Sequence, residues 1–107
     1  MRYVALGSGQ WIDARQRDGV RDASAGESDF YEELLVNPTL LKLAGQRGDL
    51  DCGGLRYLIV AYGNFNQIVL QRSEGHVSVC IDRHADAPEL ARRIGAVVEE
   101  HENQERP

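Results

Sequence analysis

The chain has 107 residues, 42% hydrophobic and 27% charged, which suits one domain (residues 1–107) large enough to fold without a disulfide or a metal. Seventeen acidic residues against twelve basic ones leave a net charge of −5, which favours solubility and weighs against a nucleic-acid backbone as partner. No apolar run approaches the ~20 residues of a membrane span, Gly7-Ser8-Gly9 ends the first apolar run too early for a secretory signal, and Cys52 and Cys80 form no disulfide framework, so a cytoplasmic protein without membrane insertion is expected.

Tyr3–Leu6 is short and β-prone. After Gly7-Ser8-Gly9, the run Trp11–Arg15 alternates, with Ile12 and Ala14 on one face. A hairpin with a three- or four-residue loop is expected, followed by a charged, small-residue loop over 16–28. Asp29, with Glu32 three residues on, predicts a capping box and a helix start. Phe30 and Leu34, with Tyr31 and Leu35 beside them, form an apolar stripe. Asn37-Pro38 predicts an interruption, because proline lacks an N–H and disfavours helix in the residue before it. Asn37 as N-cap and Pro38 at the first helical position would restart the helix. Leu40, Leu41, Leu43 and Ala44 give this second part its buried side, and Gly45 or Gly48 ends it. The expectation is a kinked helix pair across 29–46 and a loop at 49–54.

Three β-rich runs come next, 56–62, 65–72 and 76–82, separated by Gly63-Asn64 and by Ser73-Glu74-Gly75. They predict an antiparallel meander. The first run is apolar on both faces and needs cover on both. In the last, Val77, Val79 and Ile81 face one way and His76, Ser78, Cys80 and Asp82 the other, which predicts a half-exposed polar face. Asp82 or Asp86 is the candidate cap of a terminal helix, with Pro88 in its first turn and Glu89 favourable at its positive end. Leu90, Ile94, Val97, Val98 and His101 follow helical spacing and should pack on Val77, Val79 and Ile81. Residues 102–107 read as a frayed polar tail.

Motifs that carry chemistry are thin. His76, Cys80, His84 and Cys52 invite a zinc reading, but a metal needs convergent ligands, and residues four apart on a strand stand roughly 13 Å apart. Cys52 lies near Asp49 and Asp51, whose charge disfavours a thiolate. Gly7-Ser8-Gly9 and Gly53-Gly54 lack the helix and Lys of a phosphate cradle, and Asp49 with Asp51 are too few oxygens for calcium. Arg15, Arg17 and Arg21 are offset by Asp13, Asp18 and Asp22. No catalytic residue, cofactor or metal is expected from this pattern. The aromatic residues Tyr57, Tyr62 and Phe65 cluster near one turn, where a contact surface is one reading and ordinary strand packing the other.

The order strand, strand, helix, strand, strand, strand, helix, with Tyr57-Leu58-Ile59-Val60, Gln67-Ile68-Val69-Leu70, Gly75–Ile81 and Asp86-Ala87-Pro88-Glu89-Leu90, resembles the roadblock / dynein light chain superfamily. The chain begins on a strand, where members usually carry a first helix. The resemblance implies an α+β, profilin-like fold: a five-stranded antiparallel sheet with helices, its second block a meander. It also implies a non-catalytic module that forms dimers and acts as a scaffold or regulator of a Ras-like GTPase, and it supplies no catalytic residue. The apolar surplus points to the same mode of association: a homodimer whose interface takes Phe30, Leu34 and Leu41 from the helical segment and Tyr57, Ile59 and Tyr62 from the first meander strand. Two other classes remain open. One is a small-molecule sensing domain with its pocket between helix 29–46 and the sheet; the other is a small enzyme using Cys52 or His76.

Overall fold

The computed structural model of the chain describes residues 3–8, 11–16, 31–73 and 75–105. In chain order these form β1 (Tyr3–Ser8), β2 (Trp11–Gln16), a π-helical turn (Glu32–Val36) that runs into helix α1 (Asn37–Asp51), β3 (Leu58–Ala61), β4 (Phe65–Arg72), β5 (Gly75–Asp82) and helix α2 (Ala87–Glu105). The fold is mixed α+β. All strand pairs are antiparallel, in the order β2-β1-β5-β4-β3. The meander β3-β4-β5 forms as its alternation requires, and β1 closes onto β5 with Ala5 opposite Ser78. β4 spans 65–72 as expected. β3 is shorter than 56–62, because the chain enters it from an irregular stretch at 54–57. The Tyr62 N–H donates to the Phe65 carbonyl at 2.9 Å and closes the Gly63-Asn64 turn. Pairing of Ser8 with Trp11 leaves two residues between β1 and β2, not three or four. Gln16, expected in the 16–28 loop, is the last residue of β2; the rest of that loop, the Asp29 cap and Phe30 lie outside the described residues.

Helix α2 covers one face. Its apolar positions meet Ile68, Leu70, Val77, Val79 and Ile81, with Ala87 and Ala91 buried in the contact and Leu90, Ile94 and Val98 packed against it. Asp86 is the cap: its carboxylate accepts from the Glu89 N–H at 3.1 Å, so one of the unpaired N–H groups of the first turn is satisfied. Two expectations are corrected. Val97 is 65% exposed, because on that side the helix stands off the sheet across an open hollow instead of packing on it. The tail is helical through Glu105, and Glu102 accepts from the Ser73 N–H.

Helix α1 covers the opposite face, and here the sequence reading needs three corrections. Asn37 does not cap a second helix. Its backbone is helical (φ −64°, ψ −47°), and its N–H bonds to the carbonyl of Glu32, five residues back. One continuous rod results. In a regular α-helix the Pro38 ring would collide with the carbonyl four residues earlier; the wider π turn displaces that carbonyl and absorbs the proline without a break. Secondly, neither Gly45 nor Gly48 ends the helix. Both are buried, and both allow close approach: a Cβ at Gly45 would stand 3.2 Å from the Gln71 amide, and one at Gly48 3.0 Å from the Gly54 backbone. The stop comes at Gly53-Gly54, whose positive φ (80° and 93°) is open to glycine at little cost. Asp49–Asp51, expected in a loop, are the last turn of α1. Thirdly, the polar side of β5 is not half-exposed. His76, Ser78 and Cys80 are 4%, 0% and 8% exposed, because β5 is central and α1 lies over them.

Candidate functional site

Beneath the π turn lies a polar cluster sealed from solvent. Glu33 is 1% exposed and Asn37 0%; four residues apart, they share the inner face of the rod. From the sheet come Gln67, His76 and Ser78, all buried. Glu33 is the hub. Its Oε2 lies 2.7 Å from Nε2 of His76. With Glu33 as the carboxylate, which only accepts, the bond takes its proton from the imidazole Nε2. Its Oε1 accepts from Asn37 Nδ2 at 3.0 Å and from Gln67 Nε2 at 3.5 Å. Gln67 Nε2 also donates to Ser78 Oγ at 2.6 Å. Among the described residues the amide oxygens of Asn37 and Gln67 are buried without a donor, a cost that a core made of leucines would not carry.

The cluster and Leu41 take the inward side of the rod, and several large apolar side chains are left facing outward. Tyr31 (60% exposed), Leu35 (55%), Leu43 (61%) and Leu50 (79%) lie along the outer surface with Leu40 beside them. Spacings of three and seven put Leu40, Leu43 and Leu50 on one stripe. Arg47 sits between Leu43 and Leu50 in sequence, paired with Asp51 and donating to Cys52 Sγ at 3.2 Å. The Arg47 hydrogen bond, helped by that of Cys52, holds the Asp51 carboxyl below its usual range.

The stripe reaches the sheet edge through Tyr62. Its hydroxyl donates to Glu32 at 3.0 Å, and its ring meets that of Phe65 at 5.5 Å between centroids. Burial, then the hydrogen bond and negative charge of Glu32, push the phenol up to about 12. The start of the rod is thereby tied to the β3–β4 turn, beside an edge strand with one unpaired side.

Of the residues expected at an interface, Tyr62 is part of this surface and Leu34 is half-buried in the π turn. Leu41 is 4% exposed, on the inner side of α1. Tyr57 and Ile59 pack against the core under α2. Phe30 lies outside the described residues. Leu35, Leu43 and Leu50, which the structure puts on the stripe, carry no mark in the sequence that separates them from Leu41. Glu33, Asn37, Gln67 and Ser78 were missed too; the one available signal was the i, i+4 spacing of Glu33 and Asn37.

Among the described residues no group of three or more His, Cys, Asp or Glu converges on a point that could hold a metal ion. His76 is engaged by Glu33, and His84 lies exposed in the turn after β5. Cys52 is exposed at the end of α1, whereas Cys80 is buried in the sheet. No described helix is long and apolar enough to cross a membrane. Comparison of the chain with family models, with curated proteins and with solved structures finds no match.

Proposed function

We propose that this chain is a non-catalytic interaction module that works as a homodimer through the outer face of α1 and the neighbouring edge strand β3. The observation that carries this reading is the stripe Tyr31, Leu35, Leu43 and Leu50, each more than half exposed. Large apolar side chains gathered on one face mark an association surface, and a two-fold pairing of identical patches is the commonest way to cover one. β3 adds unpaired backbone groups that a second strand can meet. The five-stranded antiparallel sheet, its meander and the terminal helix support the profilin-like reading and the resemblance to roadblock proteins. On that resemblance the dimer serves as a scaffold or regulator for a Ras-like GTPase in the cytoplasm, where two free thiols are at home.

The imidazole–carboxylate pair of His76 and Glu33 favours a structural role over catalysis, since both side chains are at most 5% exposed. A sensing pocket between α1 and the sheet is disfavoured: Glu33, Leu41 and the Gly45–Gln71 approach fill that space.

Light scattering at micromolar concentration tests the dimer. The expected mass is twice that of the chain, falling to one chain for Leu43→Asp/Leu50→Asp, whose exposed positions leave the monomer folded. A wild-type monomer overturns the reading. The GTPase assignment is tested separately, by titrating the dimer with Ras-like GTPases in both nucleotide states.

A further inference from the structure

The face of the sheet opposite the α1 stripe carries a hollow of about 470 Å³ between α2 and the β1–β5 pair. That volume lies within the range of small-molecule sites. Val4, Leu6 and Val79 line it from the sheet, and Leu90, Ile94 and Val97 from the helix. Leu6 and Val97 are 38% and 65% exposed, so the mouth is as apolar as the floor. One end differs. Arg72, the last residue of β4, lines the hollow there together with His101 and Glu102. The Nε of Arg72 is buried and has no hydrogen-bond acceptor among the described residues. A buried donor without a partner costs stability, and more so on a charged group. Arg93, also on the wall, is already held by Glu89, and the Glu102 carboxylate is engaged by the Ser73 N–H.

We propose that this hollow binds a single-chain amphiphile with an anionic head, a fatty carboxylate. The alkyl chain lies between α2 and β1, and the carboxylate accepts from Arg72. An uncharged chain would fill the floor but bring no anionic acceptor to Arg72, whose Nε has none among the described residues, and a cationic head would meet Arg72 with repulsion. A planar guanidinium suits a carboxylate as acceptor. The site lies on the face of the sheet away from the α1 stripe, so it stands or falls apart from the dimer.

The test is a titration of the full chain with dodecanoate, dodecanol and dodecyltrimethylammonium, each below its aggregation concentration, followed by amide NMR. Dodecanoate is expected to shift Val79, Ile94 and Val97 saturably, with the alcohol roughly tenfold weaker, the worth of one charge-assisted hydrogen bond, and the cation weaker still. Arg72→Gln should bring the carboxylate down to the level of the alcohol and leave the alcohol unchanged. Val97→Asp, at an exposed helical position that leaves the fold intact, should weaken the carboxylate more than the alcohol. Absence of saturable shifts overturns the proposal. So do equal affinities for carboxylate and alcohol, shifts confined to α1, or a groove filled only by an amphipathic peptide. A monomer that binds dodecanoate in this pattern keeps the site and rejects the dimer.

Discussion

Glu33 and His76 show how a buried polar contact ties an element to a sheet. Each has the other as a partner at 2.7 Å, and the side chains are 1% and 5% exposed. Removing His76 takes the partner from Oε2 of a buried Glu33, and removing Glu33 takes the acceptor from both His76 and Asn37; removing both spares the cost of leaving either member of the pair buried alone. His76→Leu or Glu33→Leu is therefore expected to cost about 3–5 kcal/mol, and the double variant less than the sum of the two. Urea unfolding of the four proteins measures this; additive losses would show that the pair is not coupled. Tyr62 holds the same end of the rod from the sheet edge, through Glu32, and its sign follows from its state. The phenol is raised from 10.0 to about 12, so the neutral form is the one the fold favours. Its stabilising contribution is full below pH 10 and is lost as pH rises toward 12. Of the four tyrosines, one should ionise near pH 12 by ultraviolet absorbance, and Tyr62→Phe should remove that step. If the late step persists in the variant, the hydrogen bond to Glu32 is not its cause.

At the scale of the element, α1 owes its path to two glycines and a proline that ordinarily break helices. Pro38 is tolerated because the preceding turn is π-helical. Gly45 and Gly48 let the rod approach what lies beneath, but their neighbours differ. The contact at Gly45 is the end of a Gln71 side chain, whereas at Gly48 it is the Gly54 and Leu55 backbone. A side chain can rotate away and a backbone cannot. Gly45→Ala should therefore be near neutral, the helix preference of alanine (roughly 1 kcal/mol) offsetting a small displacement of Gln71. Gly48→Ala should destabilise by about 1–3 kcal/mol through overpacking. Thermal unfolding of the two variants reads the difference, and an equal response would mean that the rod can shift as a body. Helix α2 needs no such devices: its alanines, capping Asp86 and apolar spacing agree with each other, and sequence reasoning narrowed its start to Asp82 or Asp86 and placed its inner face except for Val97.

For the whole molecule, the sheet has two unlike faces. The α2 side is hydrophobic and carries the core. The α1 side is built around buried polar groups, and the outer surface of α1 keeps the large apolar side chains that a core would otherwise take. If these are covered by a second copy, folding and association are linked, and the midpoint of thermal unfolding should rise with protein concentration. The Leu43→Asp/Leu50→Asp variant should lose that dependence. A midpoint that is constant over a hundredfold dilution of the wild type, from micromolar downward, would count against the dimer.

Local pattern alone determined much of this protein. The β-prone residues of 65–72, alternation in 76–82, turn residues at Gly63-Asn64, and a capping Asp82 or Asp86 before an i, i+4 apolar series act between neighbours in the chain, so strands, turn and terminal helix were legible. What only the tertiary structure decided depends on residues distant in sequence. β5 lies at the centre of the sheet because β1 returns to pair with it, and that burial turns His76 and Ser78 from a solvent face into partners for Gln67 and Glu33. The same placement selects the inward side of α1, so Leu41 is buried while Leu43 is left out, although both are leucines in one run. The hollow with Arg72 at its end likewise exists only once α2 and β1 are brought to the same face. Periodicity assigns a residue to a side of its own element; which side is inside is set by what the rest of the chain lays against it.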